Sequence, residues 1–504
     1  MKNIINKSIY MLLALMLVMV TSCEDGLDIN TSPNNPSTST TAFTLPTGQA
    51  GIAYAISLDL GIISGFESQY WTQAPQAGQY AAYDKYNYTG TATAAGWNNL
   101  YAVGLQDLNF VRTQALKDGT PNYAAIADFL TAYAFQVASD LWGDIPAREA
   151  LQGKNGNLTP VYDPSADVYD YLIEIIDRGL GIVDTRLTAI TPGTDDLILG
   201  GDMKAWIRFA NTLKLKIYLR QSNSRPSVAQ SGIQGLYSSG ASFVGGSENI
   251  GLAYSGTSGN ENPYYSGDLS ANSILRGVNV VASNSVLDRL NGVGDTRVDF
   301  FYNTPANGGG HVGLPQGEGT NQGTPLSGPI GNFSNPGTGP AGASSPVQFI
   351  TGYESLFLQA EAVARGWGSG SAKALYDAGV QAAFDFAGAG SAANFLGAGD
   401  EYEFGQSNHT GVTTGTSQEL QLADIHYQKW IAMNGSQNVE AWAEFRRTNV
   451  PADLPISVGG TGASIGSSRF PQRALYPTAE VSNNPNTPSV GNIGDPIFWS
   501  FEAN

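Results

Sequence analysis

Apolar residues recur at helical steps in two blocks of this chain, with an aperiodic stretch between them. In the first block, Leu100, Tyr101, Leu105, Leu108 and Val111 fall on one face of a helix predicted over 97–116. Ile126, Leu130, Tyr133, Ala134 and Val137 mark a second helix, over 123–141. Gly143 closes it, because glycine tolerates the left-handed backbone found past helix ends. Trp206, Phe209, Ala210, Leu213 and Ile217 form the stripe of a third, over 206–219, with Arg208, Lys214, Lys216 and Arg220 largely off the stripe. The second block opens near Phe349. Tyr353, Leu356, Phe357, Ala360 and Ala364 lead to Gly366, and another helix is predicted over 372–384. This pair, joined by a small-residue turn, is patterned like a tetratricopeptide unit. Residues 424–445 read as one long helix or two, broken near Asn434-Gly435.

Between the blocks, over 221–346, helical period fades. From Asn303 to Pro346, 19 of 44 residues are Gly or Pro, too many for a packed helix or a regular strand. A loop this long in a compact domain is usually functional or disordered. The expected organisation is a single domain over 47–504, with helical blocks at about 97–220 and 349–450 around the irregular middle.

The front of the chain is of another kind. Lys2 and Lys7 precede 12 apolar residues, Ile9 to Val20. That is short of the about 20 a spanning helix needs and suits the core of an export signal. Val20-Thr21-Ser22 then lead into Cys23, the pattern of a lipoprotein cleavage site, so residues 1–22 are expected to be removed and Cys23 lipidated. Two or more acyl chains on one residue anchor stably. Cys23 is the only cysteine in the chain, so the mature protein can form no internal disulfide. Residues 23–46, rich in Asn, Pro, Ser and Thr, are expected to act as a tether. No segment after residue 22 is expected to span a membrane.

Charge then narrows the ligand. The chain carries −18, and loss of Lys2 and Lys7 makes the mature form −20, which disfavours nucleic acid and anionic polymers. Neutral or cationic ligands fit better, and 61 glycines and 24 tyrosines with only 13% charged residues suit either a surface for hydroxyl-rich ligands or, equally, a secreted protein in general. Catalytic constellations are sparse. His311, His409 and His426 stand at no metal-binding spacing, so neither a metal nor a cofactor is expected. The Gly-x-Ser-x-Gly match at 462–466 lies in a loop with no histidine after it. The remaining enzyme class is a helical glycoside hydrolase using two carboxylates. Glu354 and Glu361 share a helical face, but Glu361 suits a bond to a neighbouring helix better.

Six segments in order resemble the SusD/RagB family of nutrient-binding lipoproteins, in its SusD-like second branch. They are Leu27-Asp28-Ile29-Asn30 running to Pro36; Gly143-Asp144-Ile145-Pro146; Trp206 to Lys216; Glu354 to Ala362; Gln428-Lys429-Trp430 with Glu440-Ala441-Trp442 and Phe445-Arg446-Arg447; and Pro471 to Pro477. The resemblance implies a mainly α fold, a tetratricopeptide-like scaffold carrying a large loop-rich ligand region. It also implies outer-membrane residence, an oligosaccharide ligand (or, as the alternative, a peptide), and a SusC-type TonB-dependent transporter as partner. On the residues' own chemistry these motifs are structural: Trp206 and Trp430 belong in a core, and Arg446, Arg447 and Arg473 cap helices or pair with acids. Sugar rings stack on flat aromatics, so ligand contacts are sought among loop aromatics. Two regions qualify: Trp71, Tyr80, Tyr83, Tyr86 and Tyr88, and then Tyr264, Tyr265 and Tyr302. The competing reading of the first is a strand or hairpin whose tyrosines pack on the scaffold.

Overall fold

The computed structural model describes residues 39–503, apart from 76, 187, 274–277, 321–332 and 461. The export signal, Cys23 and most of the tether therefore lie outside the described residues. The chain starts with α1 (Thr41–Ser57) and α2 (Asp59–Glu67). The first block continues with α3 (Gln106–Asp118), α4 (Pro121–Trp142), α5 (Ser165–Ile182), α6 (Met203–Arg220) and α7 (Pro226–Ser238). After α8 (Asn284–Val293) come α9 (Gly352–Ala364), α10 (Ala372–Ala387), α11 (Ser417–Ala432) and α12 (Asn438–Thr448). Two small antiparallel sheets stitch the middle. β1 (Trp71–Gln73) pairs with β3 (Val280–Ala282), and β2 (Ile250–Leu252) pairs with β4 (Val347–Ile350).

Three departures from the sequence reading have local causes. α1 starts inside the stretch expected to be tether, because the Thr40 side chain accepts the Phe43 amide and caps it. The run Thr41–Glu67 is long and apolar enough to cross a membrane, yet 67% of its apolar window is buried, as in a core helix. The irregular middle contains two true helices. α7 begins with Pro226 in its first turn and buries Ala229, Ile233 and Leu236. Ser283 caps α8 by accepting the Ser285 amide. The helix expected over 97–116 changes hydrogen-bond pattern over Asn99–Leu105, which is π-helical. There α1 crosses so closely that a Cβ on Gly104 would lie 2.8 Å from Ile52.

Paired helices repeat one packing device, a glycine of one helix seated on an aromatic ring of the other. A Cβ on Gly179 of α5 would lie 2.7 Å from Phe129 of α4. On Gly232 of α7 it would lie 2.3 Å from Tyr218 of α6, and on Gly379 of α10, 2.8 Å from Phe357 of α9. The expected tetratricopeptide-like pair α9–α10 is one case. The break at Asn434-Gly435 falls where expected, with Gly435 at φ 75° between α11 and α12.

Three of the segments that carry the family resemblance, those with Lys216, with Glu354 and Glu361, and with Lys429, Glu440 and Arg447, meet at one buried ionic node. Lys216 lies 2.6 Å from Glu354 and 3.4 Å from Glu440. Arg220 bonds Glu440 at 2.7 Å and also Glu444, with Asp140 at 3.4 Å. Lys429 reaches Glu444 at 3.2 Å. Arg447 joins Glu361 (2.7 Å) to Glu444 (2.6 Å), and Arg446 donates to the Asp140 and Gln472 carbonyls. Four cations thus meet five carboxylates, and Arg446 joins them through main-chain carbonyls. Burial acts to raise the Glu361 and Glu444 carboxyls, but Arg447 and the other cations outweigh it and hold both well below the usual carboxylate range. Trp206 and Trp430 are buried, as expected of core residues.

Candidate functional site

The loop-rich side carries an open cleft of about 560 Å³, lined by Asn284, Ser285, Asp288 and Arg289 of α8 and by Pro315, Gln316, Glu401, His409, Asp453 and Pro455. β1–β3 pairing sets its position. The Ser283 amide donates to the Tyr70 carbonyl and that of Asn284 to Leu314, so α8 starts where the sheet ends.

Arg289 staples the cleft. Its Nε donates to the Ser285 carbonyl (2.9 Å), Nη1 to the His409 carbonyl (2.6 Å) and Nη2 to Asp453 Oδ1 (2.7 Å). Beneath it, Gln69 accepts from Ser285 Oγ (2.6 Å) and donates to the Pro455 carbonyl (2.7 Å). Gln316 donates to Asp84 Oδ1 at 2.7 Å, and Asp84 Oδ2 accepts from Thr72 and from the Gln73 amide. Burial pushes the Asp84 carboxyl up to about 7 against these hydrogen bonds. Asp424 holds the neighbouring loop through the Gly405 amide, and burial likewise raises it to about 7. His409 Nε2 lies 2.5 Å from Glu401 Oε2.

The backbone at and behind the cleft is strained. Gln69, Tyr86, Ser407 and His409 take left-handed φ values of 57°, 51°, 53° and 61°. Such conformations cost about 1–3 kcal/mol each and persist where surroundings over-determine them, often at binding sites. Tyr86 packs behind the 457–460 loop, where a Cβ on Gly460 would lie 2.8 Å from its ring. A second cleft, about 420 Å³, lies further along the same segment. The half-buried Phe300 ring lines it together with Thr296, Asp299, Thr338 and Gly339.

The aromatics singled out from the sequence mostly lie elsewhere, which corrects the expectation that they form the ligand surface. Trp71 and Tyr264 are buried and stacked on each other, with centroids 5.0 Å apart. Tyr80 is buried and donates to Asp268 at 2.6 Å. Tyr86, Tyr88 and Tyr302 are buried too, and the Tyr302 hydroxyl donates to the Tyr70 carbonyl. Their even spacing reflects packing of a short helix, Ala81–Asp84, on α2 and β1. Tyr83, stacked on Tyr80 at 5.6 Å, and Tyr265 keep part of their surface exposed. Arg289, Asp288, Asp453 and Phe300 escaped the sequence reading. Arg289, Asp288 and Asp453 are brought together from positions up to 165 residues apart, Phe300 lines the second cleft, and no short motif marks any of them. Among the described residues, no group of three His, Cys, Asp or Glu side chains is placed to hold a metal ion.

Fold and cleft together define a helical scaffold with an open, loop-lined cleft beside α8. The chain belongs to the SusD-like family described as starch-binding and associating with the outer membrane, whose profile matches residues 33–477. No curated protein matches it in sequence. Among solved structures, it resembles a SusD homologue from Bacteroides vulgatus (23% identity, TM-score 0.75, covering 91% of this chain and 97% of that one). It also resembles a chitin-binding SusD homologue from Flavobacterium johnsoniae (20% identity, TM-score 0.74, covering 90% and 98%). A SusD homologue from Bacteroides uniformis is similar at 22% identity, TM-score 0.75, covering 91% and 99%.

Proposed function

We propose that this protein is a lipoprotein, anchored through Cys23 at the outer face of the outer membrane, that captures oligosaccharides and delivers them to a SusC-type TonB-dependent transporter without altering them. The observation that carries the binding reading is the cleft beside α8, where the stapled loops hold polar groups in fixed positions. Hydroxyl-rich rings exchange their hydration for such groups, while Pro315 and Pro455 supply apolar edges. Membership of a family that associates with the outer membrane supports the location. Tyr83 and Tyr265 are proposed as outer contacts for longer chains. Calorimetry of residues 24–504 against glycans and peptides tests the ligand. A glycan is expected to bind at micromolar strength or weaker, about −5 to −8 kcal/mol. Binding of peptides alone would replace the ligand class, and cleavage of a glycan by highly purified protein would refute the non-catalytic role. Mild-detergent purification of tagged protein is expected to bring the barrel with it.

A further inference from the structure

Resting on the glycan reading, we infer that the α8 cleft prefers sugars carrying a free, protonated amine over their neutral counterparts. Its unused hydrogen-bonding capacity is largely on acceptors. Asp288 lines the cleft, and its carboxylate has no hydrogen bond or ion pair among the described residues. Gln316 lines it as well, at only 2% exposure, with its Nε2 committed to Asp84 and its Oε1 left without a partner. Asp453 uses one carboxylate oxygen on Arg289, and Glu401 uses one on His409. The donors are largely engaged: Arg289 commits three of its five N–H groups to protein, and His409 Nε2 meets Glu401. Three carboxylates therefore share the cleft with one guanidinium. A ligand made only of hydroxyls can offer donors here but gains nothing from the excess charge. An ammonium supplies three donors and the opposite sign.

At the high dielectric of an open cleft, one ammonium–carboxylate contact near 4 Å is worth about a fivefold gain in affinity. The test compares two probes of equal length, an oligomer of glucosamine and one of N-acetylglucosamine, by calorimetry near neutral pH. The amine oligomer is expected to bind at least about fivefold more tightly, with the gap closing in about 1 M salt, where the screening length is near 3 Å. The preference should fall about fivefold in Asp288→Asn, and further when Glu401→Gln is added. Equal binding of the two oligomers would overturn this inference and leave the glycan reading standing. An amine preference unchanged in the double variant would remove it from this cleft and overturn it as well. Binding of neither oligomer nor any other glycan would sink the glycan reading itself. Binding of oligolysine with no sugar bound would overturn both.

Discussion

Removing Arg447 is the sharpest perturbation of the ionic node. Its side chain is fully buried and donates to both oxygens of Glu361 (2.8 and 2.7 Å), to both of Glu444 (3.0 and 2.6 Å), and to Leu219 and Ser222. Arg447→Met fills much of the volume but leaves two buried carboxylates short of a cation. Glu361 keeps Arg365 at 2.9 Å and His426 at 3.2 Å, and Glu444 keeps Lys429 and Arg220. Breaking a buried pair costs about 3–5 kcal/mol. Unfolding entropy of about 2.1 cal/mol/K per residue, over roughly 460 residues, makes that a fall of about 3–5 °C in melting temperature. Arg148→Met is the control. Arg148 pairs with Glu174 at 2.8 Å, but the two side chains are 44% and 57% exposed, and such pairs are worth about 1 kcal/mol or less. The two variants should also differ in their pH response. In the wild type, Glu361 titrates well below the ordinary range, so its contribution is present above the unfolded carboxylate value and is lost as pH falls through the folded one. Without Arg447, burial dominates and the Glu361 carboxyl moves up, so protonation relieves the defect. The deficit of Arg447→Met against wild type should therefore shrink between about pH 7 and pH 5, and Glu361→Gln added to Arg447→Met should recover stability. Scanning calorimetry across pH measures both effects. A deficit equal to that of Arg148→Met, or one that grows on acidification, would refute the reasoning.

Three other outcomes are expected. Gly379→Val forces branched carbons into the Phe357 ring, where even a Cβ would stand at 2.8 Å, and should cost about 3 kcal/mol in thermal unfolding; a wild-type melting temperature would contradict the packing. Burial raises the Asp84 carboxyl to about 7, so its contribution is fully present below the unfolded value and is lost as pH rises through 7. Asp84→Asn should therefore gain on wild type as pH rises from about 4 to about 7, by up to roughly 4 kcal/mol, and a parallel pH profile for the two proteins would contradict the shift. Cys23→Ala should move the protein from the membrane to the soluble fraction, and persistent membrane attachment would remove Cys23 as the anchor.

The scaffold was legible in the sequence because its helices bury regular stripes and end at glycines. Trp206 to Ile217 shows this, as does the break at Gly435. α7 and α8 were not legible. α7 is short of apolar residues, and α8 is fixed by a serine cap and by contacts with β3 rather than by a long stripe. The tyrosines between Tyr80 and Tyr88 misled for a physical reason. A polar-looking segment with regularly spaced rings also describes a short helix laid on a core, with phenol hydroxyls satisfied by partners such as Asp268. The cleft could not be read, since α8, the 401–409 loop and the 453–458 loop are joined by long-range bonds such as the Arg289 staple and the Gln69 bridge.

That staple has a kinetic consequence. Because Arg289 and Gln69 are held by protein partners, the cleft floor has little ordering left to do when a ligand arrives. Association should then be a single concentration-dependent step with no slow isomerisation after it, and hydrogen exchange in α8 should hardly change on binding. Dissociation is left to a few solvent-facing contacts at the rim. A rigid seat of this kind suits the proposed hand-over of cargo, since it recognises shape and sign but lets go within the dwell time of a short encounter.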